Sequence, residues 1–148
     1  MPKDQFVNDY LSSDHKRLDI IFDSLIKGVK DSLSFDYQKS LFLLFKSGLL
    51  RHVHWEENII YPIYAQYVGE MIEPIENMLQ EHRILESMIH EVERHCCDEF
   101  DLDYLMALGQ YLSAHNEKEE KLLYPVMDEF SRNEIKEKIA IEISRSFK

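Results

Sequence analysis

The spacing of apolar residues along the chain predicts four long amphipathic helices. Apolar side chains recur at three- and four-residue intervals, which is the period of one helix face. The first such stripe consists of Leu18, Ile21, Phe22, Leu25 and Ile26. The Ser12-Ser13-Asp14 stretch before it is typical of a helix start, so the first helix is predicted over about residues 12–30. Further stripes predict helices over residues 36–67, 74–97 and 102–130.

Short polar breaks separate these four segments. They are DSLSF at residues 31–35, Val68-Gly69, and the turn from Asp98 to Asp101. An amphipathic tail, IKEKIAIEISRSF, follows the fourth helix. Long helices with brief connections are typical of an up-down-up-down bundle. The pattern therefore predicts an all-α four-helix bundle over about residues 12–130 and a short C-terminal helix within 131–148, together forming one domain, 1–148.

Composition narrows the class of protein further. Only four glycines and four prolines occur in 148 residues, too few for a sandwich of many turns. The chain has no apolar run long enough to span a membrane, and its N-terminus does not look like a secretion signal, so a cytoplasmic protein is expected. The adjacent Cys96 and Cys97 provide no disulfide framework, which fits a reducing compartment. A net charge of -11 argues against nucleic acid and membrane surfaces as partners.

Two stretches of the chain repeat one motif. HVHWEENIIYP at residues 52–62 and HNEKEEKLLYP at 115–125 share His, Glu, Glu, Tyr and Pro in the same frame. DHKRLD at 14–19 likewise matches EHRILE at 81–86. The chain is therefore predicted to contain two similar helical hairpins, each with one histidine on its first helix and H-x-x-x-E on its second.

Four histidines are expected to meet in one layer of this bundle. In an antiparallel hairpin, residues equidistant from the turn lie at the same height. The midpoints between successive histidines fall inside residues 31–35, beside Val68-Gly69 and at Asp98-Glu99, which are the predicted turns. Each histidine interrupts an apolar stripe, and a glutamate follows two of them by one turn on the same face. The predicted layer contains His15, His52, Glu56, His82, His115 and Glu119.

This layer predicts a metal site. Burying such groups without partners would cost several kcal/mol for each charged one. Metal coordination satisfies imidazoles and carboxylates together, and a mixed nitrogen and oxygen set suits iron, manganese or zinc. Isolated core histidines with hydrogen-bond partners are the alternative for any one residue. Exposed histidine–glutamate pairs are a second alternative, which the apolar flanks disfavour.

The motifs resemble those of the hemerythrin-like, or HHE cation-binding, domains over nearly the whole chain. The resemblance lies in His15, in the His52/Glu56 pair leading into IIYP, in EHR around His82, and in the His115/Glu119 pair leading into LLYP. It implies a four-helix bundle with a non-haem centre of two iron ions joined by an oxo or hydroxo bridge. It also implies that Glu56 and Glu119 bridge the ions and that the histidines are terminal ligands. The same ligand set also accommodates manganese or zinc.

The sequence departs from the oxygen-carrying hemerythrins at one ligand. Those proteins have five histidines, including H-x-x-x-H on the third helix, whereas His82 is followed four residues later by Glu86. About two of roughly twelve coordination positions then stay open. Glu86 or Asp19 could fill one of them or be solvated at the surface. Tyr111, one turn before His115, could donate a hydrogen bond to the centre or simply pack in the core. The pattern is similar to that of bacterial proteins implicated in repairing damaged iron centres, which also carry a cysteine-containing N-terminal segment not found in these residues.

The expected function is therefore that of a di-iron protein that binds or senses dioxygen, nitric oxide or peroxide. The alternatives are an oxidoreductase or iron donor acting under oxidative or nitrosative stress, with a redox or iron-acceptor partner, and a metal-free interaction bundle. The remaining histidines, His54, His90 and His95, are expected to face solvent. The Tyr-Pro pairs are expected to pack in the core, and Pro62 and Pro125 to kink or end their helices.

Overall fold

The computed structural model of this chain describes residues 6–67, 72–129 and 133–146. Within these ranges the chain is helical and contains no strand, so the prediction of an all-α bundle is confirmed. The α-helices are α1 Phe6–Lys30, α2 Phe35–Trp55, α3 Tyr61–Tyr67, α4 Ile72–Arg94, α5 Leu102–Lys118, α6 Tyr124–Glu129 and α7 Asn133–Arg145. Two π-helical turns, Glu56–Ile60 and Glu119–Leu123, join α2 to α3 and α5 to α6. No helix in the described ranges is both long enough and apolar enough to cross a membrane.

Two helical hairpins form the bundle: α1 packs on α2, and α4 packs on α5. Ser32 ends α1 in a left-handed conformation with φ 52°. The Ser34 side chain then caps α2 by accepting a hydrogen bond from the Tyr37 N–H, and Asp101 caps α5 in the same way. The predicted break at Val68-Gly69 lies outside the described residues.

The first helix begins earlier than predicted. It starts at Phe6, so the Ser12-Ser13-Asp14 stretch lies inside α1 and does not cap it. The cap comes instead from a distant part of the chain, because the carboxylate of Asp128 accepts hydrogen bonds from the N–H groups of Val7 at 2.8 Å and Asn8 at 3.0 Å. A signal based on neighbouring residues could not reveal this cap.

The predicted helices over 36–67 and 102–130 are each interrupted by a π-helical turn. Tyr61 donates its N–H to the Glu56 carbonyl, and Tyr124 donates to that of Glu119, five residues back in each case. Proline follows each of these tyrosines. Since proline has no N–H, the α-helical ladder is already broken there, and a wider turn just before it accommodates the break. The chain stays helical to Tyr67 after Pro62, so the expected helix end is not found at that proline.

The C-terminal helix closes one end of the bundle. The prediction of a short helix in the tail is confirmed by α7, which buries Ile135, Ile139 and Ile143. The indole N–H of Trp55 donates to Ser146 Oγ at 2.9 Å, fastening this helix to the end of α2. The third helix is shorter than predicted, since α4 ends at Arg94, before Cys96 and Cys97.

The buried apolar residues form two clusters along the bundle. One contains Leu11, Tyr64 and the three buried isoleucines of α7, and the other contains Leu18, Phe45 and Leu105. A glycine lets α2 lie close to α1, because a Cβ at Gly48 would come within 2.6 Å of Leu18 Cδ2. His15 lies between Leu11 and Leu18 on α1, so the polar layer falls between the two clusters.

Candidate metal centre

The four histidines of the predicted layer lie together in two pairs. The ring centroids of His15 and His52 are 4.6 Å apart, and those of His82 and His115 are 4.9 Å apart. No ring in the layer is more than 3% exposed. The first pair comes from α1 and α2 and the second from α4 and α5, so each hairpin contributes one pair.

Two fully buried carboxylates connect the histidine pairs. Glu56 Oε1 lies 3.4 Å from His52 Nε2 and 3.4 Å from His82 Nε2. Glu119 Oε1 lies 3.4 Å from His15 Nε2 and 3.0 Å from His115 Nε2. Each carboxylate therefore faces one histidine of each pair, which is the position that a bridging ligand requires.

The carboxylate and imidazole atoms at the centre of the layer form a group that could bind a cation. Glu56 Oε1, Glu119 Oε1 and His82 Nε2 are buried, and none has a hydrogen-bond partner in the part of the chain that the structure describes. Such orphaned groups are costly in a protein interior. Two sets of side chains offer ligand atoms within 4.8 Å of one another: Glu56, His82, His115 and Glu119, and His15, His52 and Glu119. A metal ion in each set would satisfy the orphaned atoms, and Glu119 belongs to both.

Two tyrosine hydroxyl groups also reach the layer, which the sequence analysis did not predict. Tyr61 donates to Glu56 Oε2 at 2.9 Å and also bonds Glu119 Oε2. Tyr124 donates to Glu56 Oε2 at 2.7 Å, and its oxygen lies 3.3 Å from His15 Nε2 and 3.5 Å from His52 Nε2. The outer oxygens of both carboxylates are thus held by phenols, while the Oε1 atoms face the histidines.

The π-helical turns explain how these tyrosines reach the carboxylates. In a regular α-helix, a residue five positions after another lies about 140° around the helix axis. A turn closed between residues five apart returns the chain to nearly the same face, so Tyr61 lies above Glu56. The sequence does carry a signal for this turn: in both repeats a tyrosine follows the glutamate by five residues and is itself followed by proline.

Three further carboxylates hold the outer side of the histidine rings. The Nδ1–H groups of His52, His82 and His115 donate to carboxylates, which leaves each Nε2 lone pair directed inward. The acceptors are Asp14 Oδ2 at 2.8 Å, Glu57 Oε2 at 2.7 Å and Glu81 Oε1 at 2.9 Å, respectively. Asp14 lies on α1, Glu57 in the π-helical turn after α2, and Glu81 on α4, so each acceptor precedes its histidine in the chain. Such bonds orient a ligand ring and make it more basic.

Each of these three carboxylates also carries a basic partner. Arg17 Nε donates to Asp14 at 3.0 Å, and Lys118 Nζ donates to Glu81 at 3.0 Å. Arg83 donates to Glu57 Oε1 at 2.7 Å. At three of the four histidines, a basic side chain near the protein surface thus balances the negative charge of the carboxylate that bonds the ring.

The fourth histidine is held differently. His15 Nδ1 lies 3.7 Å from Glu120 Oε1, too far for a hydrogen bond, and this buried nitrogen has no hydrogen-bond partner among the described residues. No lysine or arginine within the described ranges forms an ion pair with Glu120, whose side chain is 34% exposed. An outer carboxylate therefore bonds three of the four histidines, and each of these positions is a closed corner of the layer. The position at His15, where that bond is missing, is the open corner.

The geometry agrees with a comparison against protein families. The model of the hemerythrin HHE cation-binding domain matches residues 7–127 of the chain. The chain belongs to this family. Among curated proteins and among solved structures, no significant match is found. The family supports cation binding by this hemerythrin domain, and the histidine–glutamate cluster is a group that could bind the cation.

The electrostatics of the hemerythrin domain favour charged histidines when no metal is bound. Burial opposes the charged form of His52, but Glu56 and the hydrogen-bonded Asp14 outweigh it and raise its pKa to about 10. Burial is likewise outweighed at His115, where Glu119 raises the pKa to about 9. Burial alone would raise the pKa of Glu56, yet His52 brings it well below its usual value. A metal ion must therefore compete with protons for these ligands.

Burial and two neighbouring carboxylates raise the pKa values of Tyr61 and Tyr124 well above the usual value of a phenol. Both side chains of this hemerythrin domain therefore stay protonated at neutral pH. They can act only as hydrogen-bond donors toward Glu56 and Glu119, which is the role that their contacts show.

Three further residues that the sequence suggested for this hemerythrin centre lie outside its inner layer. Glu86 forms an ion pair with Arg83 at 3.1 Å and has a 41% exposed side chain. Asp19 is exposed on α1, beyond His15. Tyr111 is half-buried against the second apolar cluster, where burial and the nearby carboxylate of Glu81 raise its pKa. Neither metal-binding set includes them.

The other histidines of the hemerythrin domain are exposed, as expected. His54 accepts a contact from Asn58 Nδ2 at 3.1 Å, and the ring of His95 stacks on Tyr104 with centroids 4.2 Å apart. His90 also faces solvent on α4. None of the three is near enough to the layer to belong to a metal-binding set of the described residues.

Proposed function

We propose that residues 1–148 form one domain that holds two iron ions and binds or senses a small ligand, namely dioxygen, nitric oxide or peroxide. The observation that carries this proposal is the position of Glu56 and Glu119, each of which faces one histidine of each pair. His15 and His52 would hold one ion, His82 and His115 the other, and the two carboxylates would bridge them. Manganese and zinc suit the same ligands, so metal identity is part of the test.

When bound, iron would supply a Lewis-acid and one-electron redox centre for the small ligand. The residues of the chain orient the metal ligands and shield them from solvent. Asp14, Glu57 and Glu81 fix three of the ligand rings by their Nδ1–H groups. The layer lies between two apolar clusters, and its six side chains are at most 3% exposed, so the site is shielded from bulk solvent.

Tyr124 is the side chain best placed to contact such a ligand. Its hydroxyl oxygen lies 3.3 Å and 3.5 Å from the Nε2 atoms of His15 and His52, on the inner side of both rings. The phenol is protonated, and Glu56 Oε2 accepts its single hydrogen in this structure. The hydroxyl could turn this hydrogen toward a diatomic or anionic group in that space. No equivalent contact with a histidine nitrogen is seen for Tyr61, which bonds both carboxylates instead.

A second candidate function is donation of iron to another protein. It is favoured by the open corner at His15. There the carboxylate of Glu120 neither accepts a hydrogen bond from the ring nor pairs with a basic side chain among the described residues. A centre that is less firmly held at one ligand would release metal more readily. Transfer of iron to an apo-protein faster than to a chelator would identify this function.

The proposed function is tested by metal analysis of protein produced with iron, together with optical spectra before and after air and azide. About two iron ions per chain, with near-ultraviolet absorption that azide changes, are expected from a di-iron centre with an open position. A folded protein without stoichiometric metal would overturn the proposal and favour a metal-free interaction bundle. Consumption of oxygen, peroxide or nitric oxide over many turnovers would identify an oxidoreductase.

Metal binding is expected to release about two protons per chain at pH 7. His52 and His115, with pKa values of about 10 and about 9 in the metal-free protein, are protonated at this pH and must become neutral to bind. Since both pKa values lie above 7, metal affinity should rise as the pH increases from 7 toward 9. Calorimetric titration with Co²⁺ in two buffers of different ionisation enthalpy measures the released protons. Identical heats in both buffers would contradict this prediction.

A further inference from the structure

A groove between α1 and α5 begins about one helical turn from the open corner of the layer, at Asp19 and Glu117. This groove has a volume of about 640 Å³, and its lining includes Asp19 and Asp23 from α1 and Glu117 from α5. Glu117 is paired with Lys121, whereas neither aspartate forms an ion pair within the described part of the chain. The basic lining residue, Lys30, follows Asp19 by eleven residues, about 16 Å along the helix. The end of the groove near the metal layer is therefore acidic.

Glu120 connects the groove with the layer. It follows Glu117 by three residues, about one helical turn, and Asp19 follows His15 by one turn on α1. On its other side, Glu120 Oε1 lies 3.7 Å from His15 Nδ1. This carboxylate thus lies between surface acids and a buried ligand ring.

The buried nitrogen of His15 points to a ligand at this corner independently of the acidic residues. The side chain is 3% exposed, yet its Nδ1 atom has no hydrogen-bond partner among the described residues and faces Glu120. A buried polar atom without a partner is costly in a native structure and calls for an explanation, of which a bound ion is one. Here it adjoins the one outer carboxylate that is not balanced by a basic side chain within the described ranges.

The other three corners provide the comparison. Each is closed by a carboxylate that bonds its histidine and also carries Arg17, Arg83 or Lys118. A cation approaching any of them would meet a positive side chain first. In the sequence repeat, Lys16 occupies the position of Arg83, but it forms no ion pair with Glu120 in the described structure.

We propose that the groove between α1 and α5 is the route by which hydrated divalent metal ions reach the centre. Asp19 and Asp23 collect the ion from solvent, and Glu120 passes it to His15 and Glu119. The class of ligand is a hydrated divalent cation, for which carboxylate oxygens are suitable and rapidly exchanging partners. This inference rests on the proposed function, because a route is needed only if the centre takes up metal.

The rate of Co²⁺ uptake by the metal-free full chain tests the proposal. Stopped-flow absorbance of the cobalt bands follows uptake, and elemental analysis gives the final metal content. The Asp19→Asn/Asp23→Asn variant is expected to load about tenfold more slowly at low ionic strength, because it loses electrostatic attraction of the cation. Its final metal content should equal that of the unchanged protein, and the difference in rate should shrink at high salt.

A matched control variant, Glu134→Gln/Glu137→Gln, removes the same charge from exposed positions on α7. It is expected to load at the original rate. Equal slowing in both double variants would assign the effect to net charge and overturn the route, and so would an unchanged rate in Asp19→Asn/Asp23→Asn. If the unchanged chain takes up no cobalt, the proposed function fails as well, which separates that result from failure of the route alone.

A converse variant closes the open corner. Lys16→Arg introduces, at the position matching Arg83, a longer side chain with a forked group that can reach and hold Glu120. Uptake of Co²⁺ is expected to slow severalfold with no change in final metal content. Uptake as fast as in the unchanged protein, with circular dichroism showing an intact fold, would contradict the role assigned to Glu120.

Discussion

Replacing Glu119 with alanine is expected to prevent binding of both metal ions. Glu119 belongs to both metal-binding sets and faces His15 at 3.4 Å and His115 at 3.0 Å, so its loss removes a ligand from each position. Glu119→Gln keeps the shape of the side chain and removes its charge, and a large loss of metal is expected there too. Elemental analysis after loading with iron and removal of free metal gives the ions bound per chain.

The matched control for this prediction is Glu86→Ala. Glu86 also follows a histidine by four residues, but its carboxylate pairs with Arg83 at the surface. The variant should keep both ions, because it removes no atom of the inner layer. Retention of two ions by Glu119→Ala would contradict the bridging assignment, and loss of an ion from Glu86→Ala would show that Glu86 reaches the centre.

Replacing Tyr61 with phenylalanine is expected to lower the free energy of unfolding of the metal-free protein by about 1.5–3 kcal/mol. The hydroxyl of Tyr61 bonds Glu56 Oε2 and Glu119 Oε2, both of which are buried. The phenol has one hydrogen, which the two carboxylates share, and a hydrogen bond to a charged group is worth about 1.5–3 kcal/mol. Urea unfolding of chelator-treated protein measures the change. The loss should be smaller with metal bound, since the carboxylates then have a second partner.

Tyr37→Phe provides the control for the tyrosine prediction. Its ring is 45% exposed on α2, so removal of the hydroxyl should change the free energy of unfolding by no more than about 0.5 kcal/mol. A similar small change in Tyr61→Phe would show that the phenol does not stabilise the buried carboxylates.

The bundle and the meeting of the histidines could be predicted from the sequence because both follow from regular helix geometry. A stripe such as Leu18, Phe22 and Leu25 identifies a helix whichever helix it packs against. The heights of His15 and His52 depend only on the position of the turn between them. The structure brings these two rings to 4.6 Å from each other, although no sequence argument gave that distance.

An unbroken α-helical period predicts only a packing role for the tyrosines. One extra residue in a turn changes the face on which every later side chain lies. Tyr61, five residues after Glu56, would point away from it in a regular helix and bonds it only because of the π-helical turn. Hydrophobic periodicity averages over many residues and does not reveal one widened turn.

The outer carboxylates could not be recognised because each depends on a contact between helices. Asp14 had the sequence features of a helix cap, but it bonds a histidine on α2 while Asp128 supplies the cap. Glu57 adjoins Glu56 and Glu81 adjoins His82 in the sequence, but a position beside an inner residue does not indicate which helix the side chain contacts. Their roles depend on which helices pack together and on the angle between the helix axes. The residue pattern along a single helix determines neither.

The sharing of carboxylates also has a mechanical consequence. The first hairpin contributes His15 and His52 and extends Glu56 toward His82, while the second contributes the other pair and extends Glu119 toward His15. An ion in either proposed position would therefore be bound by both hairpins at once. Metal would act as a removable crosslink between the two halves of the molecule, and its supply would set how firmly they are joined.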